Sequence, residues 1–265
     1  MISFLSSVFA AFVAILATIA IERFGGKLGG VLGSIPTTIV PASIGMWFVK
    51  GSFANAMFAV PVGMLVNACF LACWRFIPPY LERFSFFTKL VLMILLSLTC
   101  WGILAYSSIL LINSLQEYVH FFGWLALFIQ VIFGVVVCWS NPPSPKGKNK
   151  VGIYTLIGRG VLAGCAIGFS ILIANAGHAA LAGIASVFPA IFLTTMISVW
   201  ISQGEAVQAG AVGPMMLGSS AVSLYALLSV FLFPLFSWTA GGLVSWFLSI
   251  ILCSYSTFWW LSRDK

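Results

Sequence analysis

Charged residues are scarce in this chain of 265 residues. Only 6% of its residues are charged and 62% are hydrophobic, whereas about a quarter of the residues in soluble domains are charged. This composition excludes a soluble fold. Apolar stretches of about 20 residues, long enough to cross a bilayer, follow one another along most of the sequence. They lack the short alternation of outer-membrane barrel strands. We therefore expect an all-α integral membrane protein with the lipid bilayer as a partner.

Acidic residues and histidines are rarer still, with five and two in the whole chain. None falls at the centre of an apolar stretch, so the sequence offers no base, nucleophile or metal cluster of the kind that an intramembrane enzyme needs. Cys69 and Cys73 share a helix face, but no histidine or carboxylate lies nearby in sequence to complete a metal site. The net charge of +7 comes without a basic patch among polar residues. We expect no enzyme activity, no metal or cofactor, and no nucleic acid partner.

Apolar runs between charged or turn-forming clusters predict nine transmembrane helices, called spans 1 to 9 below. They cover residues 3–22, 27–49, 53–76, 88–112, 121–140, 154–175, 179–202, 206–230 and 235–260. With nine spans, eleven lysines and arginines fall on one side of the membrane and only Lys50 on the other. Since basic residues of short loops stay in the cytoplasm, we expect an inner (plasma) membrane protein with an outer N-terminus and a cytoplasmic C-terminus.

A sequence pattern that occurs twice indicates an internal duplication. The pattern Pro-x10-Trp-x3-Gly-x4-Ala-x4-Pro starts at Pro36 and again at Pro189, at a constant offset of 153 residues. Residues 26–64 and 179–217 are identical at Leu28/Leu181, Gly30/Gly183, Pro36/Pro189, Ile44/Ile197, Trp47/Trp200, Gly51/Gly204, Ala56/Ala209 and Pro61/Pro214. An odd number of spans separates the two copies, so they run through the membrane in opposite directions.

The duplication divides the chain into three parts. We expect a first repeat of spans 1 to 4 in residues 1–112, a linking span 5 with its basic loop in residues 113–153, and an inverted second repeat of spans 6 to 9 in residues 154–265. The sequence leaves open whether the protein forms a homo-oligomer.

Prolines in the repeated pattern predict where a substrate binds. Each prevents a helical hydrogen bond to the carbonyl four residues earlier, and all fall near mid-span. Inverted-repeat transporters bind their substrates between such broken helices. We therefore predict a substrate site between spans 2, 3, 7 and 8. It comprises Ser34, Pro36, Thr37, Thr38, Ser43, Pro61, Asn67, Ser186, Pro189, Thr194, Thr195, Ser198 and Pro214. In the alternative interpretation, the prolines are tolerated kinks, the hydroxyls bond to their own helices, and Asn67 and Gln130 hold helices together.

The expected function is transport of a small polar solute or ion by alternating access, with one repeat rocking against the other. Because no charge lies at the centre of a span, a neutral or weakly charged solute is favoured. The alternatives are a channel, an accessory subunit that transports nothing, and an intramembrane enzyme.

One stretch of the second copy resembles a known family. The residues from Ala182 and Gly183 through Phe188 and Pro189, followed by Gly204, Ala206 and Ala209, are similar to the GlpM family of small four-helix inner-membrane proteins. The resemblance implies that the chain consists of two such modules joined by a linking helix. The chain departs from that family in its length and in span 5.

Overall fold

Helices joined by short turns make up the part of the chain that the computed structural model describes, which is residues 4–12, 15, 35–139 and 152–263. Within these ranges no residue lies in a β-strand. The helices are α1 (residues 4–12), α2 (Ile39–Trp47), α3 (Phe53–Phe76), α4 (Phe86–Ser114), α5 (Val119–Trp139), α6 (Ile153–Asn175), α7 (Ala179–Ser186), α8 (Ala190–Gln203), α9 (Glu205–Gly218), α10 (Ser220–Phe236), α11 (Trp238–Ser249) and α12 (Ser256–Arg263). A π-helical segment, Ile250–Tyr255, joins α11 to α12.

Seven helical stretches among the described residues are long and apolar enough to cross a bilayer. They are Phe53–Phe76, Phe86–Ser114, Gln116–Trp139, Ile157–Asn175, Ala179–Ile201, Val207–Phe236 and Trp238–Arg263. These stretches correspond to predicted spans 3 to 9, and α3 has the limits expected for span 3. Much of spans 1 and 2, including Ser34, lies outside the described residues. The seven helices indicate an all-helical, multi-pass membrane protein.

Spans 3 and 8 form the centre of the bundle. In each, 67% of the membrane-length window is buried, against 22–44% in the other five stretches. Helix α3 packs against α4, α5, α7 and α10. Its contact with α7 is close because Gly183 faces the backbone carbonyl of Ala56 with no side chain between them. Small residues allow helix backbones to approach in this way in membranes.

The turns before spans 3 and 8 share an unusual backbone conformation. Gly51 has a φ of +76° and Gly204 a φ of +87°. This left-handed region strongly favours glycine, since a Cβ is strained there. The two glycines occupy equivalent positions of the repeated sequence pattern, and both have a positive φ.

The four prolines of the repeated pattern differ in their local structure. Span 7 is broken at residues 187–189, between α7 and α8, and Pro36 lies in the non-helical residues just before α2. By contrast, Pro61 lies inside the continuous helix α3 and Pro214 inside α9. Span 8 is interrupted at Ser219 instead. The expectation that Pro61 and Pro214 break their helices is therefore wrong.

Candidate functional site

The two tryptophans of the repeated pattern lie at opposite ends of α3. Trp47 packs edge-on against Phe53 at the start of the helix, with ring centroids 5.0 Å apart. Trp200 packs against Trp74 near its end, with centroids 5.9 Å apart. At 1.5 Å per residue, about 30 Å of helix separates the two contacts. We call these regions the Trp47 end and the Trp200 end of the bundle.

Each tryptophan also reaches the central span of the other copy. Trp47 of the first copy contacts Phe233 in α10, with ring centroids 5.5 Å apart. Trp200 of the second copy makes its contact with Trp74 of α3. Each of the central spans, 3 and 8, therefore receives an aromatic contact from one tryptophan of the repeated pattern, and the two contacts lie at opposite ends of the bundle.

The break in span 7 is bonded to a side chain from span 3. The Nδ2 of Asn67 donates a hydrogen bond to the backbone carbonyl of Val187 at 2.7 Å. The Oδ1 of Asn67 accepts one from the indole nitrogen of Trp101 at 2.8 Å. Asn67 was predicted as a site residue, and the structure brings it to the break beside Pro189. Its hydrogen bonds join three helices, α3, α4 and the α7–α8 break.

The hydroxyls at this break bond to their own helices. Ser186 donates to the Gly183 carbonyl at 2.7 Å, and Thr194 donates to the Ala190 carbonyl at 2.8 Å. The carbonyl of Ala185, expected to lack a helical donor, accepts from the Phe188 amide at 3.1 Å. These residues follow the alternative interpretation, in which the backbone is satisfied locally.

The remaining predicted site residues divide by burial. Pro36, Pro61, Pro189 and Pro214 are buried, whereas the side chains of Thr37, Thr38, Thr195 and Ser198 are half-buried. Ser43 is fully buried and reaches a residue that the sequence analysis did not single out, because its hydroxyl lies 2.8 Å from that of Tyr225. A lone tyrosine within the apolar span 8 was the signal that could have identified it.

A second buried carboxamide spans the interruption of span 8. Gln130 on α5 donates to the Ser219 hydroxyl at 3.1 Å and accepts from the Ser223 hydroxyl at 2.6 Å. Gln130 is fully buried. Each interrupted span of the second copy is thus bonded to an amide side chain from another helix.

A cavity of about 420 Å³ opens beside Thr37. It lies between the chain around α2 and the first half of α11, with α1 contributing Phe9. Thr37 and Thr239 supply hydroxyls, and none of the described lining residues is charged. Among the described site residues predicted from sequence, Thr37 is the one that lines this cavity. The described site residues of the second copy do not line this cavity.

Two buried cations lie near the Trp200 end. Arg159 on α6 is 3% exposed and donates to the backbone carbonyl of Thr194 at 3.3 Å. It lies near the start of predicted span 6 and is not among the predicted site residues. Charged side chains buried inside a membrane bundle are usually functional, and burial could not be deduced from the position of Arg159 in the sequence.

Lys89 is the other buried cation, with 8% of its surface exposed. Its Nζ lies 2.5 Å from a carboxylate oxygen of Glu205 and 5.7 Å from the ring centroid of Trp200. The ion pair joins the start of α4 to the start of α9. Both residues lie next to the ends of predicted spans, and neither is among the predicted site residues.

Comparison with known proteins identifies no relative. No family model, no curated protein and no solved structure matches the chain. Among the described residues, no group of three or more histidines, cysteines or carboxylates could hold a metal ion.

Proposed function

We propose that this protein is an inner-membrane transporter that moves a small neutral solute by alternating access. In this proposal, nine spans form two inverted repeats joined by span 5, and the Trp200 end faces the cytoplasm. Three observations support the repeats: the correspondence of seven helices to spans 3 to 9, the shared left-handed glycines Gly51 and Gly204, and the placement of Trp47 and Trp200 at opposite ends. Two fused GlpM-like modules would have this arrangement.

The cavity beside Thr37 is the observation that favours transport over an accessory role. It extends along α11 from Trp238 to Trp246, a depth of about 12 Å. In this proposal, that depth carries the cavity from the Trp47 end of the bundle toward mid-bilayer. A bundle packed closely throughout, with no such cavity, would instead support a purely structural subunit.

The lining favours a neutral substrate over an ion. With two threonine hydroxyls among apolar and aromatic side chains, the cavity suits a solute that carries a few polar groups on an apolar body. An ion would need either charged groups or converging backbone carbonyls. Thr37 is the residue that we expect to contact the solute first, and the predicted site between spans 2, 3, 7 and 8 lies further along the same path.

Flux measurements in liposomes test this function. Purified protein is reconstituted, and entry of glycerol, urea, glycine and small alcohols is followed separately. Saturable entry of at least one neutral probe, absent from empty liposomes, is the expected result. Conductance without saturation would make the protein a channel, and no flux with any probe would favour the accessory subunit.

Two matched variants test the location of the site. Thr37→Val removes a hydroxyl from the cavity lining. Thr194→Val removes a hydroxyl that donates to the carbonyls of Ala190 and Ile191 in its own helix. We expect Thr37→Val to lower the flux and Thr194→Val to affect it less. Equal flux in both variants and the parent protein would contradict a site at Thr37.

A further inference from the structure

Two leucines at equivalent positions of the repeats have opposite environments. Leu90 on α4 and Leu243 on α11 are related by the offset of 153 residues. Leu90 is 6% exposed, whereas Leu243 is 60% exposed and lines the cavity. Because residue type and repeat position are the same, the difference arises from the packing around them.

Two further pairs of equivalent positions show the same contrast. The cavity lies where α11 faces α2, and the equivalent interface in the other copy is that of α4 with α8. There, Met93 is fully buried and Ala190 is 3% exposed. Their counterparts, Trp246 and Thr37, are half-buried and line the cavity. At these three pairs of positions, the interface of α11 with α2 is therefore less closely packed than that of α4 with α8.

One substitution between the copies lies within this region. Lys89 on α4 occupies the position of Gly242 on α11. Gly242 lines the cavity and contributes no side chain to fill it. The long side chain of Lys89 instead lies in the interface, over the ring of Trp200, and ends at Glu205. Glu205 is equivalent to Ser52, so the ion pair has no equivalent at the Trp47 end.

We propose that the Lys89–Glu205 ion pair is a latch that holds the Trp200 end closed while the Trp47 end is open. This inference rests on the proposed alternating access and names the residues that control it. Lys89 is held in the interface because Glu205 neutralises it; without that partner, a buried ammonium group is unfavourable and moves toward water. When Lys89 moves out of the interface, a space opens at the Trp200 end. This space corresponds to the one beside Gly242 at the Trp47 end.

Thiol accessibility tests the latch without relying on flux. Thr37→Cys and Ala190→Cys place reporters at equivalent positions, one in the cavity and one in the closed interface. Each is labelled with a small, water-soluble thiol reagent, and the signal from the native cysteines of the parent is subtracted. We expect the cysteine at 37 to react and the cysteine at 190 to be protected.

Neutralising Glu205 is then expected to reverse which of the two cysteines is labelled. In Glu205→Gln, labelling at position 190 rises by about tenfold and labelling at 37 falls, because the population shifts to the opposite state. Glu82→Gln is the matched control, since Glu82 is exposed in the turn before α4. If Glu205→Gln does not fold, Lys89→Ala removes the side chain and its charge together and is expected to give the same exchange.

The outcomes separate the latch from the transport function. Unchanged labelling at both positions in folded Glu205→Gln and Lys89→Ala overturns the latch, even if the parent protein transports a probe. Exchange of labelling without flux of any probe supports the latch as a two-state contact and overturns transport instead.

Discussion

Asn67 and Val187 are joined by a hydrogen bond of 2.7 Å that connects the most buried part of span 3 to the break in span 7. The same carboxamide accepts from Trp101, so both of its ends have partners. A break that is bonded from a neighbouring helix has a fixed position. The interruption of span 7 is thus a built feature of the bundle.

Replacing Asn67 with leucine is expected to destabilise the protein by about 1–3 kcal/mol, because the Val187 carbonyl and the Trp101 indole lose their buried partner. Thermal unfolding in detergent measures the effect. Asn55→Leu is the control, since Asn55 lies about three turns before Asn67 on the same helix and is exposed. Equal melting temperatures for the two variants would show that the bond adds nothing to stability.

Gln130 offers the corresponding test at the interruption of span 8. Gln130→Leu leaves the Ser219 and Ser223 hydroxyls without their shared partner, and we expect a loss of about 1–3 kcal/mol. Gln116→Leu, at an exposed position before α5, provides the comparison. A melting temperature that is lower for Gln116→Leu than for Gln130→Leu would be inconsistent with this assignment.

Close packing at Gly183 predicts a large effect of a single methyl group. In Gly183→Ala, the new Cβ collides with the backbone carbonyl of Ala56, so α7 must move away from α3. We expect lower stability and poorer folding yield. Gly102→Ala is the matched control, because a Cβ there meets nothing within 4 Å and alanine favours the helix by about 1 kcal/mol. A Gly183→Ala variant as stable as Gly102→Ala would refute the close contact.

Filling the cavity is expected to stop transport without unfolding the protein. A Cβ at Gly242 makes ordinary contacts, of which the shortest is 3.6 Å to Phe233, so the backbone tolerates a side chain. Gly242→Leu adds a larger group at a position that lines the cavity, beside Phe233 and Tyr225. Flux should fall strongly while the melting temperature changes little, and Gly102→Leu should preserve flux. Normal flux in Gly242→Leu would mean that the solute takes another route.

Sequence reasoning located the helices better than their interruptions. Span 3 was predicted with its observed limits, because apolar runs bounded by glycine and charge report directly on membrane crossing. Proline gave less information, since it removes one hydrogen bond but does not by itself end a helix. Pro61 and Pro214 remain helical. The observed interruptions lie where Asn67 and Gln130 reach from other helices, which no local pattern encodes.

The residues of the candidate site were likewise predicted only in part. Thr37 and Asn67 were identified from polarity near predicted mid-span, and the structure places the first in the cavity lining and the second at a break. Arg159, Lys89 and Tyr225 were missed because their importance depends on burial. A residue near the end of a span is buried or exposed according to which helix packs over it, and that information is tertiary.

The pairing of Lys89 in one copy with Gly242 in the other has a kinetic consequence. For a carrier that moves its solute passively, detailed balance requires the ratio of maximal rate to half-saturating concentration to be equal from both sides. An ion pair that stabilises one closed end makes the two half-saturating concentrations unequal, so the two maximal rates must differ in the same proportion. When the solute is dilute, entry and exit then have equal rates per unit of concentration, and a single lysine, rather than the scaffold that both copies share, would decide which direction saturates first.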